Sequence, residues 1–164
     1  MVKVHNANMN RQHTTTLTAS ENRAVYKALK ILERRLLIEE TVFNSPGRVA
    51  DFLKLKLGFE EREVFAVMFL DAQNRLIEYA PMFYGTVYQT EVYPREVVKK
   101  ALSLNAVSVI LSHNHPSGKA VESEADKLLT KQLKATLKMV DVRVLDHIIV
   151  AGNKTLSFVE KGLL

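Results

Sequence analysis

His113 and His115, separated by a single residue, and Asp126 further along are the side chains of this chain best suited to hold a metal ion. Neutral imidazole and carboxylate are the nitrogen and oxygen ligands that Zn²⁺ takes. They stand in the stretch SHNHPSGKAVESEAD, residues 112–126. The apolar run 106–111 leads into the pair. In an extended backbone, residues i and i+2 point to the same side, roughly 7 Å apart. Two imidazoles so placed can converge on one ion, and Asn114 between them points the other way. The chain has no cysteine, so any metal must be held by His, Asp, Glu and water.

The spacing predicts a helix over 123–140. At about 100° per residue, Lys127, Lys131, Lys134 and Lys138 share one narrow face. Leu129, Leu133, Thr136, Leu137 and Val140 share the opposite, inward face. Asp126 projects onto the edge of that inward face, where an ionised carboxylate is costly unless paired or bound to metal. A simpler reading competes: Ser123-x-x-Asp126 is also a helix-start signature, a Ser cap with an acid three residues on. Both roles can hold at once. Pro116-Ser117-Gly118 reads as a turn.

His113-x-His115 followed by Ser123-x-x-Asp126 resembles the JAMM (MPN+) metalloprotease motif. The fuller string HNHPSG, with NRLI at 74–77, PREVVKKAL at 94–102 and VLDHIIV at 144–150, resembles the RadC family. The resemblance covers residues 41–164. It implies a cytidine-deaminase-like JAMM (MPN) domain holding one Zn²⁺ per chain through His113, His115 and Asp126. RadC proteins usually carry an acidic or polar, proline-containing linker before the Ser; here it is Lys119-Ala120-Val121-Glu122. Full-length members resemble a helix-hairpin-helix module joined to this domain, and no such module is visible in this sequence.

A catalytic zinc keeps three protein ligands and one position for water, and it lowers the pKa of that water to about 7. A carboxylate must then hold the water and move its proton. JAMM proteins place a Glu at the start of an upstream strand, and Glu63 is the match; Glu96 and Glu91 are the alternatives. The resemblance implies that Ser123 donates to the oxyanion of a tetrahedral intermediate. Losing such a donor costs about 10²–10³ in rate, whereas a lost cap costs about 1 kcal/mol of stability. His147 follows Asp146 in an apolar strand. It reads as a packed histidine or as one that orients a ligand imidazole.

The remaining elements must position these groups. Residues 1–18 read as a flexible polar arm in which His5 and His13 are solvated. Residues 19–40 hold an N-terminal helix, with Val25, Leu29, Leu32 and Leu36 as an apolar stripe suited to packing on the domain or to a homodimer. Residues 41–164 form the RadC-like JAMM/MPN domain. Within it Ser45-Pro46 starts a helix that stops at Gly58, with Val49, Phe52, Leu53 and Leu57 inward. A strand follows over 63–70, apolar enough for burial on both faces. Strand 75–84 completes a hairpin, and 85–92 adds a further extended piece. A helix over 94–104 turns Val97, Val98, Ala101 and Leu102 inward. The strand 106–111, the motif and its helix come next, then a hairpin of 142–150 and 155–158. That order gives an α/β fold, a mixed β-sheet flanked by helices.

At 164 residues, 47% hydrophobic and 25% charged, the chain has the balance of a globular domain with a tail. No apolar run is long enough to cross a bilayer, and the N-terminus lacks a signal-peptide core. A cytoplasmic location is expected. The net charge of +5 permits attraction to nucleic acid. The sequence therefore points to a zinc metallohydrolase that cuts a peptide or isopeptide bond. The alternative is a DNA-repair-associated protein that binds nucleic acid through Lys127, Lys131, Lys134 and Lys138, or a metal-dependent nuclease. A third class is an interaction module whose metal only stabilises the fold.

Overall fold

The computed structural model describes residues 18–38, 46–85 and 91–164. The expected arm, with His5 and His13, lies outside the described residues apart from Thr18. So do the side chains of Leu29, Leu32 and Leu36, and the middle of the extended piece expected over 85–92.

Helix α1 (Ala19–Ile38) is followed by α2 (Pro46–Leu57), whose stripe Val49, Phe52, Leu53 and Leu57 is buried as the sequence predicts. β1 (Val64–Leu70) is buried at every residue, and β2 (Leu76–Tyr84) returns beside it as the hairpin partner. Then come α3 (Pro94–Ser103), β3 (Ser108–Asn114), α4 (Glu124–Lys138), β4 (Arg143–Ala151) and β5 (Lys154–Ser157). The five strands form one sheet in the order β2-β1-β3-β4-β5. β3 runs antiparallel to β1 and parallel to β4. A parallel pair needs a crossover, and α4 supplies it.

The two faces of the sheet are covered by different helices. On one, α2 packs on Val64, Ala66, Met68, Leu70, Ile110, Ile148 and Val150. On the other, α3 and α4 bring Val97, Ala101, Leu133 and Leu137 onto Phe65, Val67, Phe69, Val109 and Leu111. Truncating one of these side chains, as in Leu133→Ala, costs about 2–5 kcal/mol. Leu102 corrects the sequence reading: it was expected inward but is 53% exposed, because no element among the described residues covers that side of α3.

The same device aims both parallel strands. Asn105 (φ 50°) and Asp141 (φ 59°) end α3 and α4 in the left-handed region, which Asn and Asp tolerate better than most residues. The N–H groups that follow fold back onto the helices, Ala106 to the Ala101 carbonyl and Val142 to that of Leu137, each at 3.0 Å. Both helices are thereby directed into strands whose carboxyl ends lie together. Gly58 is needed for another reason: a Cβ there would meet the Lys54 carbonyl oxygen at 2.5 Å and that of Gly152 at 2.8 Å.

Candidate metal centre

β3 carries His113 at its carboxyl end. The register sets His113 opposite Phe65, and the two rings stack with centroids 6.3 Å apart. His113 is buried on the face that α4 covers. His115 lies just beyond the strand, its N–H donating to the Val150 carbonyl at 2.8 Å. The chain then turns through Gly118, whose φ of 73° suits glycine and whose N–H returns to the His115 carbonyl. This turn brings the chain to the N-terminus of α4.

Ser123 caps that helix. Its hydroxyl accepts from the Asp126 N–H at 3.1 Å, and the Asp126 carboxylate accepts from the Ser123 N–H at 2.7 Å. The reciprocal cap satisfies two orphan donors of the helix start. It also pins the Asp126 carboxylate against the two imidazoles.

The three side chains meet. His113 Nε2 is 3.0 Å from His115 Nε2 and 3.3 Å from Asp126 Oδ1, and His115 Nε2 is 3.7 Å from Asp126 Oδ2. Ligands bonded to a tetrahedral metal at about 2.0–2.1 Å lie about 3.3 Å from one another. The contacts here, which involve both oxygens of Asp126, scatter about that value. Two nitrogens and a carboxylate oxygen are also a donor set that a divalent ion accepts, so the triad could hold a metal.

Burial works against the charge of Asp126. The hydrogen bond and positive charge of His113, with the backbone and side chain of Ser123, outweigh it and hold this carboxyl well below the usual carboxylate range. The Ser123 cap uses the hydroxyl oxygen as acceptor. The O–H proton remains a donor at the edge of the site, where it also favours the charged carboxylate.

His147 lies behind His113, on the side away from the triad. Its Nε2 is 2.8 Å from His113 Nδ1, and its Nδ1 is 2.6 Å from Thr130 Oγ1. It is fully buried against Phe65 and Phe158. Burial first, and then the charge of His113, push the His147 imidazole well below its ordinary range.

Glu63 is half-buried and immediately precedes β1. It stands two residues before Phe65, whose sheet partner is His113. It is not one of the three clustered groups. The alternatives lie elsewhere: Glu96 pairs with Lys99 at 3.0 Å on α3, and Glu91 bonds the Tyr93 side chain. On α4, Lys131, Lys134 and Lys138 are exposed, whereas Lys127 is tied to Glu124 at 2.7 Å.

Asn114 does more than the sequence suggested. Its Oδ1 accepts from the Val64 N–H at 2.8 Å, and its Nδ2 donates to the Arg62 carbonyl at 3.0 Å and the Glu60 carbonyl at 3.2 Å. The only local signal was that strand alternation turns it away from the histidines. A cleft of about 410 Å³ opens beside His115, with Phe59, Glu60, Glu61, Asn114 and Pro116 in its wall. That volume suits a side chain or small ligand.

Sheet, helices and triad define an α/β domain with a candidate mononuclear metal centre. A family model for the RadC-like JAB domain matches residues 43–163, and the chain belongs to that family. The chain is 53% identical over 146 residues to a UPF0758 protein of Leptothrix cholodnii, covering 87% of this chain and 66% of that one. It is 55% identical over 139 residues to UPF0758 protein Mpe_A2695 of Methylibium petroleiphilum, covering 83% and 63%. The chain thus spans slightly less than two thirds of these curated relatives. UPF0758 protein YkfG of Escherichia coli is matched along 94% of its length, at 48% identity over 148 residues. Family and triad together support a JAMM-like, metal-dependent hydrolase fold. Among the described residues, no helix is long and apolar enough to cross a membrane.

Proposed function

We propose that this chain is a zinc-dependent hydrolase that cleaves a peptide or isopeptide bond with an activated water. The observation that carries the reading is the convergence of three side chains, from β3, the loop after it and α4, with two imidazole nitrogens and the carboxylate oxygens in contact at 3.0–3.7 Å. When bound, Zn²⁺ would supply a Lewis acid that lowers the pKa of water to about 7. His113, His115 and Asp126 would hold it. Glu63, half-buried at the head of β1, orients the attacking water and carries its proton to the leaving amine. Ser123 turns its O–H toward the oxyanion that forms at the scissile carbonyl. The cleft beside His115 receives the residue flanking that bond.

The test pairs metal content with turnover on a panel of peptide and isopeptide substrates. Glu63→Gln should retain zinc and lose hydrolysis. Full activity in metal-free protein would end the proposal.

A second reading has its own observation. Lys134, Lys138 and Arg143 line a groove of about 530 Å³, at the end of β4 remote from the triad. The rest of its wall is Asp141, Val142, Val144 and Leu145, and the three cations at its edge suit contacts to a phosphate backbone. Its binding should weaken steeply with salt, and unchanged affinity in a Lys131→Glu, Lys134→Glu double variant would reject it.

A further inference from the structure

A neutral imidazole has one lone pair, and the ring nitrogen that holds the proton decides where that pair points. For His113 the decision is made by residues that touch no metal. Thr130 lies one turn after Asp126 in α4, and its hydroxyl donates to the Asp126 backbone carbonyl at 2.6 Å. A carbonyl oxygen only accepts, and Thr has a single hydroxyl proton. That proton is therefore committed. Toward His147 Nδ1, 2.6 Å away, the Thr130 oxygen can only accept. His147 then carries its proton on Nδ1, and as a neutral ring presents a lone pair at Nε2. That lone pair meets His113 Nδ1 at 2.8 Å, so His113 Nδ1 must donate. Nε2 is then the nitrogen of His113 left to the site, 3.3 Å from Asp126 and 3.0 Å from His115 Nε2, and in the neutral ring it holds the lone pair.

His115 reaches the same state by a shorter route. Its Nδ1 is 3.0 Å from the Lys119 carbonyl oxygen, which can only accept, so its lone pair also falls on Nε2. Both series of donors end on a backbone carbonyl, and both turn Nε2 to the shared site, where any proton it carries lies against the other imidazole and Asp126 and is the one a cation displaces.

The geometry points to His147 and Thr130 as positioning residues that hold His113 in its Nδ1–H tautomer, so that the folded chain presents both imidazoles as ligands for a divalent cation before any cation arrives. This rests on the reading of His113, His115 and Asp126 as a metal centre. Phe65 and Phe158 hold the His147 ring from two sides, with centroids at 5.8 and 4.8 Å. The polarity matters because the two directions exclude each other. A reversed series would place the His113 proton on Nε2, and that N–H would occupy the position a cation needs.

The experiment compares wild type with Thr130→Val, Thr130→Ser and His147→Gln. Zinc affinity is measured at neutral pH by competition with a chromophoric chelator, and melts of the metal-free proteins report folding. Long-range ¹⁵N NMR of metal-free wild type reads the tautomers of His113 and His147. Thr130→Val removes the acceptor that fixes His147 while keeping its shape, so zinc binding should weaken about 10- to 100-fold. Thr130→Ser keeps the acceptor and should bind as wild type does. In His147→Gln the amide oxygen can take the place of Nε2, so affinity should recover toward wild type. Both histidines should be protonated at Nδ1 without metal. A Thr130→Val protein that melts lower yet binds zinc as tightly as wild type would make the hydroxyl merely structural and overturn the inference. A His113 ring that lacks its Nδ1 proton in metal-free protein would overturn it equally. If wild type takes up no zinc, the metal-centre reading fails by itself, and the tautomers still decide the hydrogen-bond series.

Discussion

Asp126→Asn probes the centre with the least disturbance to the fold. The carboxylate has two tasks: one oxygen accepts from the Ser123 N–H at 2.7 Å, and the other lies 3.3 Å from His113 Nε2. An amide keeps one oxygen for the Ser123 N–H, and the backbone N–H that completes the cap is untouched. What it loses is the charge and one potential ligand oxygen. Suppose wild type is studied with free zinc at 100 times its Kd. The bound metal then adds about 2.7 kcal/mol to stability. For a chain of this size each kcal/mol moves Tm by about 2–4 °C, so zinc should raise Tm by about 5–11 °C. A variant that binds 100-fold more weakly would sit at its own Kd and gain only about 0.4 kcal/mol, or about 1–2 °C. Thermal melts of chelator-stripped protein, with and without zinc, give both numbers. Equal shifts in wild type and variant would refute the assignment of Asp126 as a ligand.

Ser123→Gly removes the O–H donor but costs only a few tenths of a kcal/mol as a cap. Turnover should fall by about 10²–10³ while Tm barely moves; the reverse pattern would reduce Ser123 to a cap. Asn114→Ala removes three hydrogen bonds and strands the buried Val64 N–H. At about 1 kcal/mol for each of the two bonds donated by Nδ2, plus about 1–3 for the orphaned donor, it should lose about 3–5 kcal/mol in denaturant unfolding. A loss under about 1 kcal/mol would mean that water replaces the side chain. In metal-free protein the Asp126 carboxyl titrates below its unfolded value of about 3.9. Its contribution is therefore present above that value and lost as pH falls through the folded one. The stability gap between wild type and Asp126→Asn should be open at about pH 5 and close below about pH 4. A gap unchanged at low pH would mean that the charge contributes nothing.

Local pattern carried much of the fold. The apolar run of β1 and the stripe of α2 were legible because burial on two faces or on one leaves different periods in the sequence. Leu102 was misplaced because a helical wheel marks an apolar side without showing whether anything covers it. Sequence neighbours could not reveal that β4 lies parallel to β3, since that pairing is set by the α4 crossover. The same division holds at the site. The imidazole pair, Asp126 and the Ser123 cap are spacings within one short stretch. The partners of His147 and Asn114 are not: Asn114 bonds residues 50 and more positions away, and register alone brings them together. Thr130 was readable in part, because a threonine four residues after Asp126 can bond back to its carbonyl within the helix.

The tripeptide His113-Asn114-His115 joins the two halves of the proposed chemistry. Alternation along β3 sends His113 to the α4 face and Asn114 to the other. There Asn114 accepts from the Val64 N–H and donates to the Arg62 carbonyl, the two groups that flank Glu63 in the backbone. The Gly85 N–H holds the Glu63 carbonyl itself at 2.8 Å. The residue between the two candidate ligands therefore fixes the chain on both sides of the candidate base. A slip of β3 by one residue would put Asn114 toward Asp126 and a histidine toward the 60–64 loop, removing a ligand and releasing Glu63 in one step. The separation of the histidines by a single residue thus follows from the sheet. Both imidazoles must face one ion, and the side chain between them must reach the strand that carries the acid.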